Sequence, residues 1–426
     1  MGIRKRQDHQ EGYLLEDREE GLTRCARDVP AVYAEASSGI EQWVHQQHTC
    51  PPAMTAGPHR KGQGGPQIMN DGHLFRNAAA ALIGGALAIS VGTAAMAADW
   101  SMPVTVFADD GSASQMEYEP IDVSQITQKW NLCVIFPHVK DPYYMAYTHG
   151  SVSEAQRIGA KLQILAAGGY TELAKQISLV EDCVAGGADA VIITAVSTEG
   201  LNPVISETVN AGIPVIDLGI GVTTPDISGR VTSSYEAAGS NLGDYLKARH
   251  PEGSGKVQVL WLPGPAGSGW VEDATRGFQE SIVGSDVEVV KVMYGDTGKT
   301  VQMKMIEDGL LAYPDIEYIA GAAPAAEGAV QVLRQAGVEG IEVMSFYPTP
   351  ATVAGLSDGS VSAVVSDSTA MQPRIAIDMA VRMLEGIDGP KNVGPGFVTI
   401  DADSVGSWDP TTTLAPEGWE PVFEVE

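Results

Sequence analysis

Short apolar runs and longer amphipathic stretches alternate along the chain from residue 131 onward. The apolar runs predict buried strands, whereas apolar positions spaced three or four residues apart predict helices. Glycine-containing stops such as GAD at 187–189 and GIP at 212–214 separate helices from the strands that follow. The first series predicts strands at 132–136, 162–165, 190–193 and 214–218, and helices at 145–158, 173–184 and 200–210.

A second series of the same kind follows after residue 232. Strands that alternate with helices form parallel sheets covered on both faces. The pattern therefore predicts an α/β protein of two lobes, each a parallel sheet flanked by helices, joined by several chain crossings that act as a hinge. The second series predicts strands at 257–262, 287–293, 316–320 and 341–346, and helices at 236–248, 272–282, 301–312 and 325–335.

The domain boundaries follow from the two series. Residues 98–130 are an N-terminal extension, and the chain is expected to return to lobe 1 after Tyr347. A strand-like run at 361–365 and a helix at 375–384 then complete that lobe. Lobe 1 is therefore predicted to comprise 131–232 and 348–386, and lobe 2 with the tail to comprise 233–347 and 387–426.

The segment 69–97 has the pattern of a secretory signal peptide. A short charged start precedes an apolar run at 78–91, and an A-x-A box at 95–97 follows it. The apolar run is shorter than the roughly 20 residues that a membrane span needs. We therefore expect cleavage, a mature chain that begins near Ala98, and a periplasmic location. Residues 1–68 precede this signal and are expected to be untranslated or outside the fold.

Acidic residues outnumber basic ones by 54 to 26, for a net charge of −28. The excess lies in the predicted mature chain, because residues 98–426 hold 44 acids and 17 bases. A surface of this charge repels nucleic-acid phosphates and anionic lipid headgroups. Nucleic acid is therefore not expected as a partner.

The predicted mature chain contains two cysteines, Cys133 in the first strand and Cys183 in the second helix. In an oxidising compartment such a pair is a disulfide candidate, and two free buried thiols are the alternative. Neither cysteine has a His or Cys at metal-ligand spacing, so no metal site is expected.

Two motif-like segments fail as catalytic sites. GDTGKT at 295–300 is not a phosphate-binding loop, because Met293 stands where that pattern needs a glycine. GPAGSGW around Ser268 is not a nucleophile elbow, because Ala266 and Trp270 replace the flanking glycines. The sequence therefore predicts neither an enzyme nor a cofactor.

Aromatic and acidic residues collect in the loops that should face the cleft, since ligands of open parallel sheets bind beyond the carboxyl ends of strands. Aromatic faces and a carboxylate attract methylated cationic nitrogen. The paired glycines at 168–169 let the backbone approach a ligand closely. The predicted ligand-binding residues are Asp141, Tyr144, Tyr170, Tyr235, Trp270, Tyr347 and Asp367.

Several segments resemble the type I periplasmic binding proteins and, within them, the TorT-like proteins. The resemblance covers about residues 100–426, and its two most specific segments are FPHVKDPYY at 136–144 and AGGY at 167–170. The other segments that carry it are GADAVII at 187–193, ARHPEGSGK at 248–256 and SFY at 345–347.

The resemblance implies the two-lobed fold of that family and a cleft site for trimethylamine N-oxide. It places Tyr144, Tyr235 and Tyr347 in the aromatic cage, beside Asp141 and Tyr170. It also implies docking on the periplasmic domain of a TorS-like sensor histidine kinase. The family pattern has Trp where this chain has Tyr at 144 and 235. Tyr is a weaker cation–π face and adds a hydroxyl.

The first functional hypothesis is therefore a periplasmic sensor of a methylated amine or amine oxide. The alternative is a sugar-binding receptor that delivers its ligand to an ABC permease, with Asp141, Asp367 and Arg374 on the sugar hydroxyls. The sequence leaves open the exact ligand, whether the liganded or the empty form signals, the stoichiometry with the partner and the disulfide state.

Overall fold

The computed structural model describes residues 100–108, 110, 112–232 and 234–426. The predicted leader 1–68, the predicted signal peptide 69–97 and the expected mature start at Ala98 lie outside the described residues. The described chain forms two mainly parallel sheets covered by helices, which confirms the α/β, two-lobed fold class. Within this part of the chain no helix is both long and apolar enough to cross a membrane.

Nine strands lie close to the predicted apolar runs, and six short strands were not predicted, at 102–107, 113–118, 229–232, 392–395, 398–401 and 424–425. The strands are β1 (Met102–Phe107), β2 (Ala113–Tyr118), β3 (Asn131–Phe136), β4 (Lys161–Ala166), β5 (Ala190–Ile193), β6 (Val215–Gly219), β7 (Gly229–Thr232), β8 (Val257–Gly264), β9 (Val287–Tyr294), β10 (Tyr318–Gly321), β11 (Glu342–Ser345), β12 (Ala363–Ser366), β13 (Asn392–Pro395), β14 (Val398–Asp401) and β15 (Glu424–Val425).

Eight of the helices follow the predicted pattern, whereas the helix at 350–358 was not predicted. Three helices end at a glycine in the left-handed conformation, Gly159, Gly337 and Gly359. The helices are α1 (Tyr143–Ile158), α2 (Leu173–Ala185), α3 (Asn202–Asn210), α4 (Tyr235–Arg249), α5 (Gly269–Ser281), α6 (Lys299–Ala312), α7 (Ala323–Ala336), α8 (Pro350–Asp358) and α9 (Met371–Leu384).

The first sheet defines lobe 1, with α1, α2, α3 and α9 packed on it. Its strand order is β15-β4-β3-β5-β6-β7-β13-β1-β2. The strands from β4 to β13 in this order pair in parallel, whereas β15, β1 and β2 add antiparallel edges. The central strand β3 is buried from Leu132 to Phe136, as its unbroken apolar run requires.

The second sheet defines lobe 2, with α4 to α8 packed on it. Its strand order is β14-β12-β11-β10-β8-β9, and β14 is its one antiparallel strand. Helices α4 and α5 pack closely at Gly239 and Gly277. A Cβ at Gly239 would meet the carbonyl oxygen of Ala274, and one at Gly277 would meet that of Glu236. This close packing fixes the starts of both helices, where Tyr235 and Trp270 lie.

The predicted return to lobe 1 at residue 348 is wrong. Strand β12 pairs with β11 and β14 in the second sheet, and α8 packs on α7 and β12. Residues 348–366 therefore belong to lobe 2, and the chain returns only after Ser366. The assignment of 387–426 to lobe 2 also fails, since β13 and β15 pair in the first sheet and only β14 pairs in the second. The return point was misplaced because an apolar run shows that a strand is buried, but not which neighbour it pairs with.

The predicted N-terminal extension is an integral part of lobe 1. Strand β1 pairs with β13, and the loop after β2 is held by buried charges of α1 and α9. Asp378 accepts hydrogen bonds from the Tyr118 hydroxyl at 2.7 Å and the Ile121 backbone N–H at 2.6 Å. Arg157 pairs with Glu154 at 2.6 Å and donates to the Ile121 carbonyl. The extension is therefore anchored by satisfied buried polar groups rather than by apolar contacts alone.

Cys133 of β3 and Cys183 of α2 form a disulfide whose Cα atoms are 6.0 Å apart. Of the two alternatives that the sequence left open, the structure has the bonded one. The bridge ties the central strand of lobe 1 to the helix that covers it.

Candidate ligand-binding site

The loop after β3 and the first turn of α1 form the lobe 1 side of the site. Oδ1 of Asp141 accepts the backbone N–H of Tyr143 at 2.9 Å, and its carbonyl accepts that of Tyr144. The carboxylate therefore fixes the start of the helix as an Asx-type turn. The tyrosines of this turn point inward, since Tyr143 and Tyr144 are 6% and 3% exposed.

The loop after β4 brings Tyr170 beside this turn. The backbone N–H groups of Ala167 and Gly168 donate to the carbonyls of Phe136 and Pro137, and Gly168 adopts a φ of 111° that favours glycine. The hydroxyls of Tyr170 and Tyr144 then lie 2.9 Å apart. Gly168 thus gives the loop its path, and the close approach of the backbone to a ligand at 168–169 stays a prediction.

Lobe 2 contributes residues from its own strand ends and helix starts. Trp270 lies in the first turn of α5, Thr297 in the loop between β9 and α6, and Tyr347 directly after β11. Tyr235 begins α4, and its ring centroid is 5.7 Å from that of Trp270. Trp270 also faces Tyr170 of lobe 1 at 5.8 Å, so aromatic contact crosses the cleft.

These side chains line a small cavity, and the space between them of about 280 Å³ is partly open to solvent. Within the described chain, Asp141 is the one charged residue among those that line it. The lining residues are Asp141, Tyr143, Tyr144, Tyr170, Tyr235, Trp270, Thr297 and Tyr347.

The carboxylate of Asp141 is the electrostatic centre of the cavity. Burial raises the pKa of Asp141 to about 6, against the lowering effect of hydrogen bonds from the Tyr347 hydroxyl and the Tyr143 N–H. Tyr347 donates to Oδ2 at 2.6 Å. Burial also raises the pKa values of Tyr144 and Tyr347 well above the usual range, so both hydroxyls stay protonated at neutral pH.

His138 lies behind the cage and is 3% exposed. Its ring packs edge-on against Tyr144 at 4.9 Å and Tyr170 at 5.1 Å, and neither ring nitrogen has a hydrogen-bond partner. Burial lowers the pKa of His138 to about 4, with Lys140 adding to the effect. The imidazole is therefore neutral at pH 7 and leaves Asp141 as the charged group nearest the cage.

Six of the seven predicted residues line the cavity, and Asp367 does not. Asp367 lies at the crossing after β12, where it accepts the hydroxyl hydrogens of Tyr143, at 2.8 Å, and Thr369. It supports Tyr143 from behind. Arg374, which the sugar alternative invoked, instead pairs with Glu154 at 3.1 Å in lobe 1.

The sequence reasoning missed Tyr143 and Thr297. Tyr143 precedes a predicted site residue in the same helical turn, where only one tyrosine was expected to face the cleft. Thr297 lies in the segment that was weighed as a phosphate-binding loop and set aside. The rule that found the other residues would have found Thr297, because it too follows the carboxyl end of a parallel strand. No group of His, Cys, Asp and Glu in the described residues could hold a metal ion.

Comparison with known proteins assigns this architecture to a family. A family model described as a periplasmic binding protein domain matches residues 132–388. The periplasmic protein TorT of Escherichia coli (strain K12) is 31% identical over 294 residues, which are 69% of this chain and 84% of TorT.

Two solved structures are similar over most of the described chain. One is an ABC transporter solute binding protein from Bradyrhizobium sp. BTAi1 with bound bis-tris, 44% identical with a TM-score of 0.67, covering 76% of this chain and 97% of that one. The other is the complex of the TorS sensor domain with TorT in the presence of trimethylamine N-oxide, 29% identical with a TM-score of 0.64, covering 69% and 100%.

These relatives are ligand-binding proteins and not enzymes, in agreement with the expectation from the failed catalytic motifs. The match of the family model and the identity to TorT together cover both lobes, the cleft and its aromatic loops. The chain belongs to the type I periplasmic binding protein family and is a TorT-like member of it.

Proposed function

We propose that this protein binds a small methylated amine or amine oxide between its lobes and reports the bound state to the periplasmic domain of a TorS-like sensor histidine kinase. The observation that carries the proposal is the cavity itself: five tyrosines and one tryptophan surround a small space that holds a single carboxylate.

The chemistry of the cavity suits a methylated nitrogen. Aromatic faces attract a cationic nitrogen by about 0.5–2 kcal/mol each once water is excluded, and Asp141 adds an opposite charge. The methyl groups contribute apolar contact without needing hydrogen bonds. A small polar cation with several N–H groups would find few acceptors, because Asp141 is the one carboxylate among the lining residues and each of its oxygens already accepts one bond.

A sensor needs ligand binding to be coupled to a change of shape, and contacts from both lobes provide that coupling. Residues of lobe 1 and lobe 2 face each other across the cavity, so a ligand there binds the closed arrangement better than an open one. Lys140 also reaches Asp296 of lobe 2 at 2.7 Å. A partner that contacts both lobes can then distinguish the closed arrangement from the open one.

The relatives and the sequence support the proposed location and partner. TorT is a periplasmic protein and forms a complex with the TorS sensor domain. The signal-like segment 69–97 supports export of this chain to the same compartment.

Delivery to an ABC permease is the second candidate function, and the Bradyrhizobium solute binding protein favours it. The cavity argues against a sugar as the cargo. Sugar sites usually combine stacking aromatic rings with several Asp, Asn and Arg side chains, whereas Asp141 is the one residue of these three types among the residues that line the cavity.

Thermal denaturation of protein purified from the periplasm tests the proposal. Trimethylamine N-oxide, glycine betaine, choline and a panel of pentoses and hexoses would be compared at millimolar concentration. A micromolar ligand in thousandfold excess stabilises by about 4 kcal/mol. We expect a methylated amine or amine oxide to give this increase, and stabilisation by sugars alone would refute the proposal. Copurification with the periplasmic domain of a kinase, rather than with a permease, tests the partner.

A further inference from the structure

We propose that a surface groove between the two lobes docks an amphipathic helix of a partner protein, with basic residues beside the apolar face of that helix. The groove is lined by α1 of lobe 1, by α8 of lobe 2 and by residues 410–419 after β14, and we call it the interlobe groove. It shares no lining residue with the ligand cavity. The proposal therefore goes beyond the proposed function and does not depend on the ligand.

The lining of the interlobe groove is mainly apolar, although it faces solvent. Its space of about 1590 Å³ opens to the surface. Met145 of α1, Val353 of α8 and Leu414 are each only partly buried there, and Ala354 is exposed. A contiguous apolar surface that stays open to water and is rimmed by polar residues marks a site of interaction.

Residues 410–419, the tail wall of the groove, are held in place by contacts within the protein. Oγ1 of Thr413 lies 2.8 Å from Oγ of Ser366, at the crossing between the lobes. The ring of Trp419 packs edge-on against that of His149 of α1, with centroids 5.1 Å apart. The groove is therefore preformed. Its tail wall follows residue 388, where the match to the family model ends, so the family domain does not form this groove by itself.

The walls favour a helix over an extended segment as the occupant. Two walls are helices, whose backbone groups bond within the helix. In the tail wall, Pro410 and Pro416 lack a backbone N–H, and their carbonyls accept the N–H groups of Leu414 and Trp419. An extended segment would therefore find no sheet edge in the described lining with which to pair. A helix satisfies its own backbone groups and inserts only side chains.

Acidic residues beside the groove set the charge of the docked helix. Residues 392–426 include seven acidic residues and no basic one. Glu417 lines the groove, Asp409 and Glu420 lie directly beside lining residues, and all three are exposed. Burial lowers the pKa of His149, so the imidazole adds no positive charge at pH 7. Lys or Arg residues beside the apolar face of the helix meet opposite charge here, whereas an acidic helix is repelled.

The interlobe groove is placed to respond to movement of the lobes. Met145 and His149 line the groove from the same helix whose Tyr143 and Tyr144 line the ligand cavity. Because α1 and α8 belong to different lobes, opening or closing of the lobes changes the width of the groove. A docked helix therefore favours one arrangement of the lobes over the other.

Fluorescence anisotropy of a labelled peptide tests the proposal on the intact exported protein, without a ligand in the cavity. The probe is a synthetic peptide of about 14 residues made of leucine and lysine, with leucine at the helical spacing i, i+3, i+4 and i+7. A peptide of the same composition in which leucine and lysine alternate, as in a strand, is the control for shape. At physiological salt we expect micromolar binding of the helical peptide, at least about tenfold tighter than that of the alternating one.

Two arginine variants locate the binding site of the peptide. Ala354→Arg puts a cation into the groove, whereas Leu311→Arg makes the same change of charge on α6, at a residue that is 74% exposed and outside the groove. We expect Ala354→Arg to weaken binding of the helical peptide by at least about tenfold, and Leu311→Arg by less than about twofold. Both positions are exposed, so both variants should keep the native melting temperature.

The outcomes are separate from those of the proposed function. Equal losses for the two variants would show that the peptide binds through charge alone, and would overturn the groove as a docking site. Equal affinity for the helical and the alternating peptide would overturn the helix as its occupant. A protein that binds the helical peptide in the groove but no methylated amine or amine oxide would sustain this inference and refute the proposed function.

Discussion

The hydroxyl of Tyr347 donates a 2.6 Å hydrogen bond to Oδ2 of Asp141, although 206 residues separate them in the chain. Tyr347 follows β11 of lobe 2 and Asp141 follows β3 of lobe 1, so the bond crosses the cleft. Both residues are at least nine-tenths buried. Opening the lobes must break this bond. Closure of the lobes is therefore coupled to the state of the Asp141 carboxylate, the charged group of the cavity.

Tyr347→Phe should weaken ligand binding without destabilising the empty protein. The variant keeps the ring of the cage and removes one of the two hydrogen bonds that Asp141 receives. Hydrogen bonds to charged groups are worth about 1.5–3 kcal/mol, so we expect a loss of affinity for trimethylamine N-oxide of at least about tenfold by calorimetry. Tyr347→Ala, which also removes the ring, should abolish binding.

Tyr294→Phe is the matched control, because Tyr294 is 48% exposed on lobe 2 and does not line the cavity. It should bind as the native protein does. A large fall in the melting temperature of empty Tyr347→Phe would show that Tyr347 is a core residue instead of a ligand contact.

The affinity for a cationic ligand should rise with pH around the pKa of Asp141. That pKa is about 6 in the empty cavity, above the ordinary 3.8, because burial disfavours the charged form. The closed empty form is therefore favoured at low pH and loses this advantage as the pH rises through about 6. A bound cation instead favours the carboxylate. Tetramethylammonium, whose charge does not change with pH, should bind about tenfold more tightly at pH 7 than at pH 5, with a plateau above.

Asp141→Asn provides the control for this titration. The variant should bind tetramethylammonium weakly and with no slope between pH 5 and 7. His138 does not titrate in this window, because its pKa is about 4. Asp217 also has a pKa raised to about 6 by burial, but it pairs with Arg230 away from the cavity and is present in both proteins. A slope that persists in Asp141→Asn would contradict the assignment.

The repeating strands and helices could be predicted because each fills a long, regular pattern that ends at a glycine or proline. Six short strands could not, namely β1, β2, β7, β13, β14 and β15. The edge strand β2 is mostly exposed and carries no apolar run, and β15 has only two residues. The lobe assignment of β12 failed for a different reason. Its buried sequence AVVS satisfies either sheet, and only the pairing with β11 and β14 decides between them.

Most of the site could be predicted from the rule that ligands of parallel sheets bind beyond the carboxyl ends of the strands. That rule placed Asp141, Tyr170 and Trp270 at strand ends that do meet in the cleft. It could not show that Asp367 lies behind Tyr143 and outside the cavity lining, because both residues lie at the same edge and their order from the cavity outward depends on side-chain packing.

Removal of the Lys140 charge should weaken binding slightly and in a salt-dependent way. Lys140 and Asp296 are 2.7 Å apart across the cleft, with side chains 39% and 46% exposed. Exposed ion pairs contribute about 0.2–1 kcal/mol, so Lys140→Met should lower affinity by less than about fivefold at low salt. The difference should vanish at high ionic strength, where such pairs are screened. Calorimetry in low and high sodium chloride measures both effects.

Lys256→Met is the control for this pair. Lys256 lies 3.7 Å from Glu288 within lobe 2, and both side chains are more than half exposed. It should leave the affinity unchanged at either salt concentration. A loss of affinity for Lys140→Met that is independent of salt would show that Lys140 acts through packing and not through charge.

Reduction of the bridge between Cys133 and Cys183 should destabilise lobe 1 and spare the site. The bridge closes a loop with a sequence separation of 50, for which the chain-entropy estimate of stabilisation is about 4 kcal/mol. Urea unfolding of the exported protein should therefore shift to clearly lower concentration in the presence of reductant. Affinity for trimethylamine N-oxide in native buffer should change by less than about twofold, because neither cysteine lines the cavity. In the double variant Cys133→Ala, Cys183→Ala, reductant should have no further effect. An unfolding midpoint of the native protein that ignores reductant would mean that the two cysteines are free thiols in the periplasm.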